Sequence, residues 1–364
     1  VNTALRSEVP ALPWTRIHDV LHRAWGESWT PSLQLERVQA RRSEALVALD
    51  AEQRMLAHDT DVRGRLLVLG GPGTGKSLVA REAARRHESA AKRVVYLCFT
   101  RALAIGMRRA GVANAHPIRD FALKVLRDNA IALPSGPSSA WEREAWNGMM
   151  DSAAELVGAS DVERPDVLVV DEVQDFGARE WAIVDALAPS GIPVLAFGDA
   201  GQQILEHADF DPTRFDVTLR LRRAYRTPDV LLEVAAAVRE NGSLRLPDSP
   251  HIRTERVAAE ETVADGVRRA LGWLAEKKVA ASDIAVLSIA GVKSMTPFAI
   301  GETIAGLATS RADDEHAPDC VVVDTAVRFK GVERPWVVLI DLDALSTKGA
   351  RTRAFIGITR ATMG

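Results

Sequence analysis

"RLLVLGGPGTGKSLVAREAARRHESA", Arg65 to Ala90, sets an apolar run, a glycine-rich turn and an amphipathic stretch in immediate succession. The apolar run fits a buried strand and the amphipathic stretch fits a helix. Between them "GGPGTGKS", Gly70 to Ser77, matches the pattern G-x-x-x-x-G-K-[ST]. Glycines let backbone N–H groups wrap a phosphate chain, and the helix N-terminus that follows adds partial positive charge. Gly71, Pro72, Gly73, Thr74 and Gly75 are thereby assigned to a phosphate cradle. Lys76 supplies a point charge for β- and γ-phosphates, and the Ser77 hydroxyl is a ligand for Mg²⁺.

A second stretch, "VLVVDEVQDF" (Val167 to Phe176), ends an apolar run in three carboxylates, Asp171, Glu172 and Asp175. Adjacent like charges at the mouth of a low-dielectric core disfavour ionisation. A metal ion, a basic partner or solvent must compensate. The phosphate loop upstream favours the metal: Asp171 is expected to hold Mg²⁺ through water, and Glu172 to act as general base on the attacking water.

The surrounding pattern repeats the strand–helix unit. "RVVYLCFT" precedes "RALAIGMRRA", and "DVLVVDE" and "PVLAFGD" flank the helix-like "AREWAIVDALA". A second such rhythm begins near Leu221, with helices "PDVLLEVAAAVRE" and "VADGVRRALGWLAEK" and strands "DIAVLSI", "DCVVVDTA" and "PWVVLIDL". Strands alternating with helices predict parallel, doubly wound sheets. Three parts are expected: an N-terminal helical or irregular junction over 1–44, a first lobe over 45–222 with a helical insertion at about 106–165, and a second lobe over 223–364. A helical pattern also runs from about Leu33 to Ala57.

Bulk properties exclude little else. The 364 residues are 47% hydrophobic and 26% charged, with a formal net charge of −3, so no basic nucleic-acid footprint shows in bulk. Cys98 and Cys320 are too few for a disulfide framework. No apolar run approaches the roughly 18 residues of a membrane span, and "VNTALRSEVP" lacks the pattern of a signal peptide. A soluble, cytoplasmic chain without a membrane partner is expected.

Five further strings carry a resemblance. "DEVQD", "FGDAGQQI" (Phe197 to Ile204), "AYRT" (Ala224 to Thr227), "FKGVE" (Phe329 to Glu333) and "GITRA" (Gly357 to Ala361) occur in this order. Together with the phosphate loop they resemble the superfamily 1 helicases of the UvrD/Rep type, from about residue 49 to the C-terminus. The resemblance implies two RecA-like P-loop NTPase lobes with ATP and Mg²⁺ between them, and a small helical insertion in the first. It implies that Gln53 reads adenine and that Gln202, rather than its neighbour Gln203, senses the γ-phosphate. It further implies that Tyr225 stacks near adenine, that Arg226 and Arg360 are arginine fingers, and that Gly331 and Glu333 approach the γ-phosphate and ribose. Thr100, His116, Phe121 and Thr325 match segments that lie along nucleic acid.

The chain also departs from that family. "LEHADF" follows "GDAGQQI" where base-stacking aromatics are usual, and Leu205 and His207 make no stacking platform. Val327 replaces the histidine before "KG". About a hundred residues between "AYRT" and "TAVRFKG" leave no room for a large insertion in the second lobe, and a truncated C-terminus is expected after "TRA". The leading expectation is an ATP-dependent single-stranded nucleic-acid translocase or helicase, with DNA favoured over RNA. The alternative is an ATP-driven switch that gates a partner protein, such as a partner or fused nuclease, without unwinding.

Overall fold

The computed structural model describes residues 64–364, apart from 137–140, 160–163, 204–207, 209, 242–243, 245, 292–297, 299–302 and 316–318. The N-terminal junction, the pattern over Leu33 to Ala57, Gln53, Leu205 and His207 lie outside the described residues. The described chain falls within one compact unit, Leu49–Gly364, built as two α/β lobes, each around its own sheet.

The first lobe is a six-stranded parallel sheet in the order β3-β2-β4-β5-β1-β6. The strands are β1 Arg65–Gly70, β2 Val94–Cys98, β3 Ala115–Pro117, β4 Val167–Asp171, β5 Val194–Gly198 and β6 Val217–Leu221. Every residue of β2, β4 and β5 is buried, as a parallel sheet covered on both faces requires. The faces alternate along each strand. Leu67, Leu168 and Val170 enter one apolar cluster, and Leu66, Val68, Val167 and Val169 enter the other. Helices α1 (Lys76–Ser89) and α2 (Arg101–Arg109) cover the second cluster through Val79, Ala83, Leu103 and Met107. Helices α3 (Ile118–Asp128), α4 (Arg143–Ala159) and α5 (Ala178–Leu187) cover the first through Phe121, Met150 and Trp181. Each such side chain contributes about 1.5–3 kcal/mol on burial. Helices α3 and α4 lie within the range 106–165 read from sequence as an insertion, and so does strand β3, which extends the sheet beside β2.

The second lobe has the order β11-β7-β10-β9-β8. Strands β7 Ile284–Ser288, β10 Val321–Thr325 and β11 Trp336–Ile340 pair in parallel. The hairpin β8 Thr303–Ile304 and β9 Leu307–Ser310 is antiparallel and closes one side. Helices α6 Asp229–Asn241, α7 Val263–Glu276 and α8 Lys348–Ile358 complete it. No helix among the described residues is long and apolar enough to cross a membrane. Both cysteines are free thiols.

In open α/β sheets, ligands bind beyond the carboxyl ends of the strands. Here β4, β5 and β1 are neighbours in register, Asp171 beside Phe197 and Leu69 beside Gly198. The phosphate loop, the acidic strand end and Asp199 therefore emerge together.

Candidate functional site: the cleft at the strand ends

Lys76 begins α1 and is buried. Its Nζ donates to the carbonyls of Gly70 (2.8 Å) and Gly71 (2.9 Å) and lies 3.9 Å from Asp199 Oδ2. Thr74 Oγ1 donates to Gly71 O at 2.8 Å, which tightens the turn. Gly73 takes a positive φ of 68°, and a Cβ there would meet Thr227 Oγ1 at 2.9 Å and Thr227 N at 3.0 Å. Its carbonyl accepts from Tyr225 N (2.9 Å) and Arg226 N (3.3 Å). The interlobe segment is thereby strapped across the phosphate loop.

Asp171 is fully buried at the end of β4. Its carboxylate accepts from Tyr96 Oη (2.8 Å), from the Ser77 hydroxyl and from the Glu172 backbone N–H (2.8 Å). Burial first, then the Glu172 charge, pushes its carboxyl up to about 6 despite those donors. Glu172 stands in the left-handed region, φ 57°, a conformation that L-residues other than Asn or Asp rarely adopt and that clusters at functional sites. Burial pushes its carboxyl up, but Lys330, Lys76 and Arg360, with a hydrogen bond from Gln174, hold it below the ordinary glutamate range.

Lys330 is the residue that sequence reasoning missed. It is only 1% exposed. It reaches from the second lobe to pair with Asp175, donates to Gln202 O at 2.8 Å, and stands 3.5 Å from Glu172 Oε2. For Glu172 and Asp175 the compensation is a basic partner. Asp171 has no cation bonded to it among the described residues and is met by hydrogen-bond donors alone. The signal was on the page in "FKGVE", where Lys330 adjoins a buried Phe329; only tertiary structure shows that it turns inward.

Gln202 is buried, whereas Gln203 is exposed. Gln202 Nε2 donates to Asp199 Oδ2 (2.8 Å), and its Oε1 accepts from Arg360 at 3.0 Å across the lobes. Gln174 joins the group from beneath, donating to Glu172 and accepting from Asp199 N (2.9 Å). Arg226 forms an ion pair with Glu333 at 2.7 Å. Gly331 takes φ 85°, and a Cβ there would lie 2.7 Å from Leu103 Cδ2. Tyr225 is 45% exposed, with the Arg223 guanidinium 5.6 Å from its ring centre. Among the residues expected along nucleic acid, Thr100, Phe121 and Thr325 are buried. Thr100 caps α2 and donates to Lys330 O at 2.9 Å, and Thr325 Oγ1 accepts from Arg328 N. His116 is half-buried, 2.7 Å from Asn114 Oδ1, with its ring 5.9 Å from Phe121.

The donor set fits a nucleotide with a hard cation. The Nε atoms of Arg226 and Arg360 are buried without hydrogen-bond partners among the described residues, as an absent polyanion would leave them. No cluster of three or more His, Cys, Asp or Glu side chains able to hold a metal occurs among the described residues. Ser77 and Asp171 are the oxygen ligands that could hold Mg²⁺, together with phosphate oxygens.

The chain is similar in structure to the Pif1 helicase from Candida albicans, at 14% identity and a TM-score of 0.34, covering 62% of this chain and 54% of that one. It is similar at 14% identity and a TM-score of 0.34 to a Pif1 helicase in a structure concerned with DNA unwinding at forked duplex DNA, covering 66% and 55%. For a DNA replication initiation factor the identity is 15%, the TM-score 0.28 and the coverage 57% and 52%. The chain thus spans about half the length of the solved chains it matches. No curated protein matches it. Residues 53–208, which hold the phosphate loop, the acidic strand end and Gln202, match the family model of an AAA domain.

Proposed function

We propose that the protein hydrolyses ATP in the cleft between its lobes and uses the cycle to move along single-stranded nucleic acid, DNA in preference to RNA. One observation carries the reading: Glu172, Gln202, Arg360 and Lys330, drawn from two lobes, share one buried hydrogen-bonded group. A surface NTP-binding loop would need none of the second-lobe members.

Glu172, ionised and positioned by Gln174, accepts a proton from the attacking water. The water oxygen bonds to the γ-phosphorus, the bond to the bridging oxygen breaks, and ADP takes the electron pair. Lys76 binds the β- and γ-phosphates, while Arg226 and Arg360 neutralise charge as it develops. Bound Mg²⁺, held by Ser77 and Asp171, would supply charge neutralisation on the phosphate oxygens. Gln202 aligns Arg360 and stands where a water or a γ-phosphate oxygen could be sensed. Tyr225 and Gln53 are assigned to the adenine, and Gly331 and Glu333 to the γ-phosphate and ribose side. Because those groups lie on both lobes, ATP favours closure and loss of the γ-phosphate releases it.

The test is steady-state ATP hydrolysis with and without single-stranded DNA, beside Glu172→Gln. Hydrolysis lost in the variant and stimulated by DNA in the wild type supports the translocase. Glu172-dependent hydrolysis indifferent to DNA supports the switch that gates a partner protein. That second reading draws on the burial of Thr100, Phe121 and Thr325, which leaves those side chains engaged within the protein.

A further inference from the structure

A cavity of about 560 Å³ opens between α3, α4 and the first turn of α5. Its volume lies within the roughly 300–1,000 Å³ of ligand pockets. Two tryptophans line it: the rings of Trp141 and Trp146 are 5.2 Å apart and tilted by 48°. The Arg119 guanidinium lies 5.2 Å from the Trp146 ring centre. Arg143 and Arg179 add two further cations, of which Arg179 is paired with Asp151 at 2.8 Å, and Glu180 is the one carboxylate in the lining. That carboxylate is partly committed, since its Oε2 accepts from Gly177 N at 3.1 Å at the head of α5. Its Oε1 forms a long ion pair with Arg119 Nε at 3.8 Å, beyond hydrogen-bond reach. Arg119 Nε and Trp141 Nε1 are buried donors without a hydrogen-bond acceptor among the described residues.

A group of flat aromatic faces, surplus guanidinium charge and unmet donors asks for a ligand that is both flat and anionic. A nucleotide is both: base–aromatic stacking is tolerant of sequence, and guanidinium binds phosphate in a planar fork. An acidic peptide would use the arginines and leave the indoles idle. The cavity also adjoins the stretch expected along nucleic acid. Arg119 lies between His116 and Phe121, and Asp120 next to it holds Arg101 in a two-bond fork (2.7 and 2.8 Å) that joins the heads of α2 and α3.

We propose that this cleft receives one unpaired nucleotide of a single strand, its base against the Trp141–Trp146 pair and its phosphate against Arg119 and Arg143. The proposal rests on the nucleic-acid reading above and gives it a base-stacking site outside the segment after "GDAGQQI", where the sequence supplies none.

The experiment uses a twelve-nucleotide oligo(dT) carrying 5-iododeoxyuridine, cross-linked by light to the whole chain and mapped by peptide. Anisotropy titrations across a salt series accompany it for wild type, Arg143→Glu and Arg119→Gln. Cross-links at Trp141 or Trp146 are expected, with affinity about ten-fold weaker in each variant and the salt slope reduced by about one per lost contact. If the wild type binds the oligonucleotide but cross-links fall elsewhere and both variants bind as it does, the cleft proposal is wrong while the nucleic-acid reading stands. If no oligonucleotide binds the wild type, both fall. A polyglutamate peptide of equal charge that binds as tightly as the oligonucleotide would also overturn the proposal, making the cleft an acidic-peptide site. Should a variant fail to fold, the cross-link map of the wild type decides alone.

Discussion

Lys330 decides how two of the three carboxylates, Glu172 and Asp175, can sit buried at one strand end. Its ammonium group faces Asp175 and Glu172 with almost no exposure, and a buried charge that loses its partner is destabilised by about 3–5 kcal/mol. Lys330→Met is therefore expected to lower unfolding stability by that order, read from the urea midpoint, and the added change Asp175→Asn to restore part of it. Equal penalties in the single and double variants would show that the pair is not coupled. His116 makes a separate prediction. Burial, then Arg108 and Lys124, lowers its pKa below 6.5, so the neutral ring is favoured by the fold. That stability is present above pH 6.5 and lost as pH falls further, and His116→Gln should lose less stability than wild type between pH 7.5 and 5.5. Lysines and histidines are where sequence said least. "GGPGTGKS" and "DEVQD" announce their chemistry by spacing, whereas Lys330 in "FKGVE" reads like any surface lysine until the second lobe is folded against the first.

Among the elements, the strap formed by Tyr225, Arg226 and Thr227 over the phosphate loop depends on a residue with no side chain. Gly73→Ala would place a Cβ 2.9 Å from Thr227 Oγ1 on a backbone with positive φ, and the left-handed conformation alone costs roughly 1–2 kcal/mol. Relief requires the strap to lift, carrying Arg226 and Tyr225 with it. A non-hydrolysable ATP analogue is expected to bind about ten-fold more weakly by calorimetry, the equivalent of about 1.4 kcal/mol; unchanged affinity would mean that the strap plays no part in binding. The long buried strands and amphipathic helices were legible because apolar runs and helical periodicity are strong over their length. Strand β3 was not, because three residues ending in Pro117 carry no alternation. Strand β6 was not, because it is an edge strand whose "VTLRL" is largely exposed. The β8–β9 hairpin is equally short and owes its place to β10, which it flanks.

Over the whole molecule, two kinds of contact hold the lobes in register. The inner contacts, Lys330 with Asp175 and Glu172 and Arg360 with Gln202, are buried. The outer ones lie nearer solvent: Arg108, which also donates to Ala115 O at 2.8 Å, pairs with Glu315, and Arg109 donates to the carbonyls of Asp314 (3.2 Å) and Glu315 (2.7 Å). Screening separates them, because salt weakens exposed pairs and leaves buried ones largely intact. Exposed pairs contribute about 0.2–1 kcal/mol at most, so the penalty of Arg108→Glu should be larger by about that much at low ionic strength than in 1 M salt, where the lost bond to Ala115 O remains. The exchange Arg108→Glu with Glu315→Arg should recover the salt-dependent part of the loss, while the Lys330→Met penalty persists at both ionic strengths. Urea midpoints of the four chains at two salt concentrations check this. A salt-independent penalty for Arg108→Glu would assign the outer contact to packing, and a salt-sensitive penalty for Lys330→Met would mean that water reaches the cleft between the closed lobes.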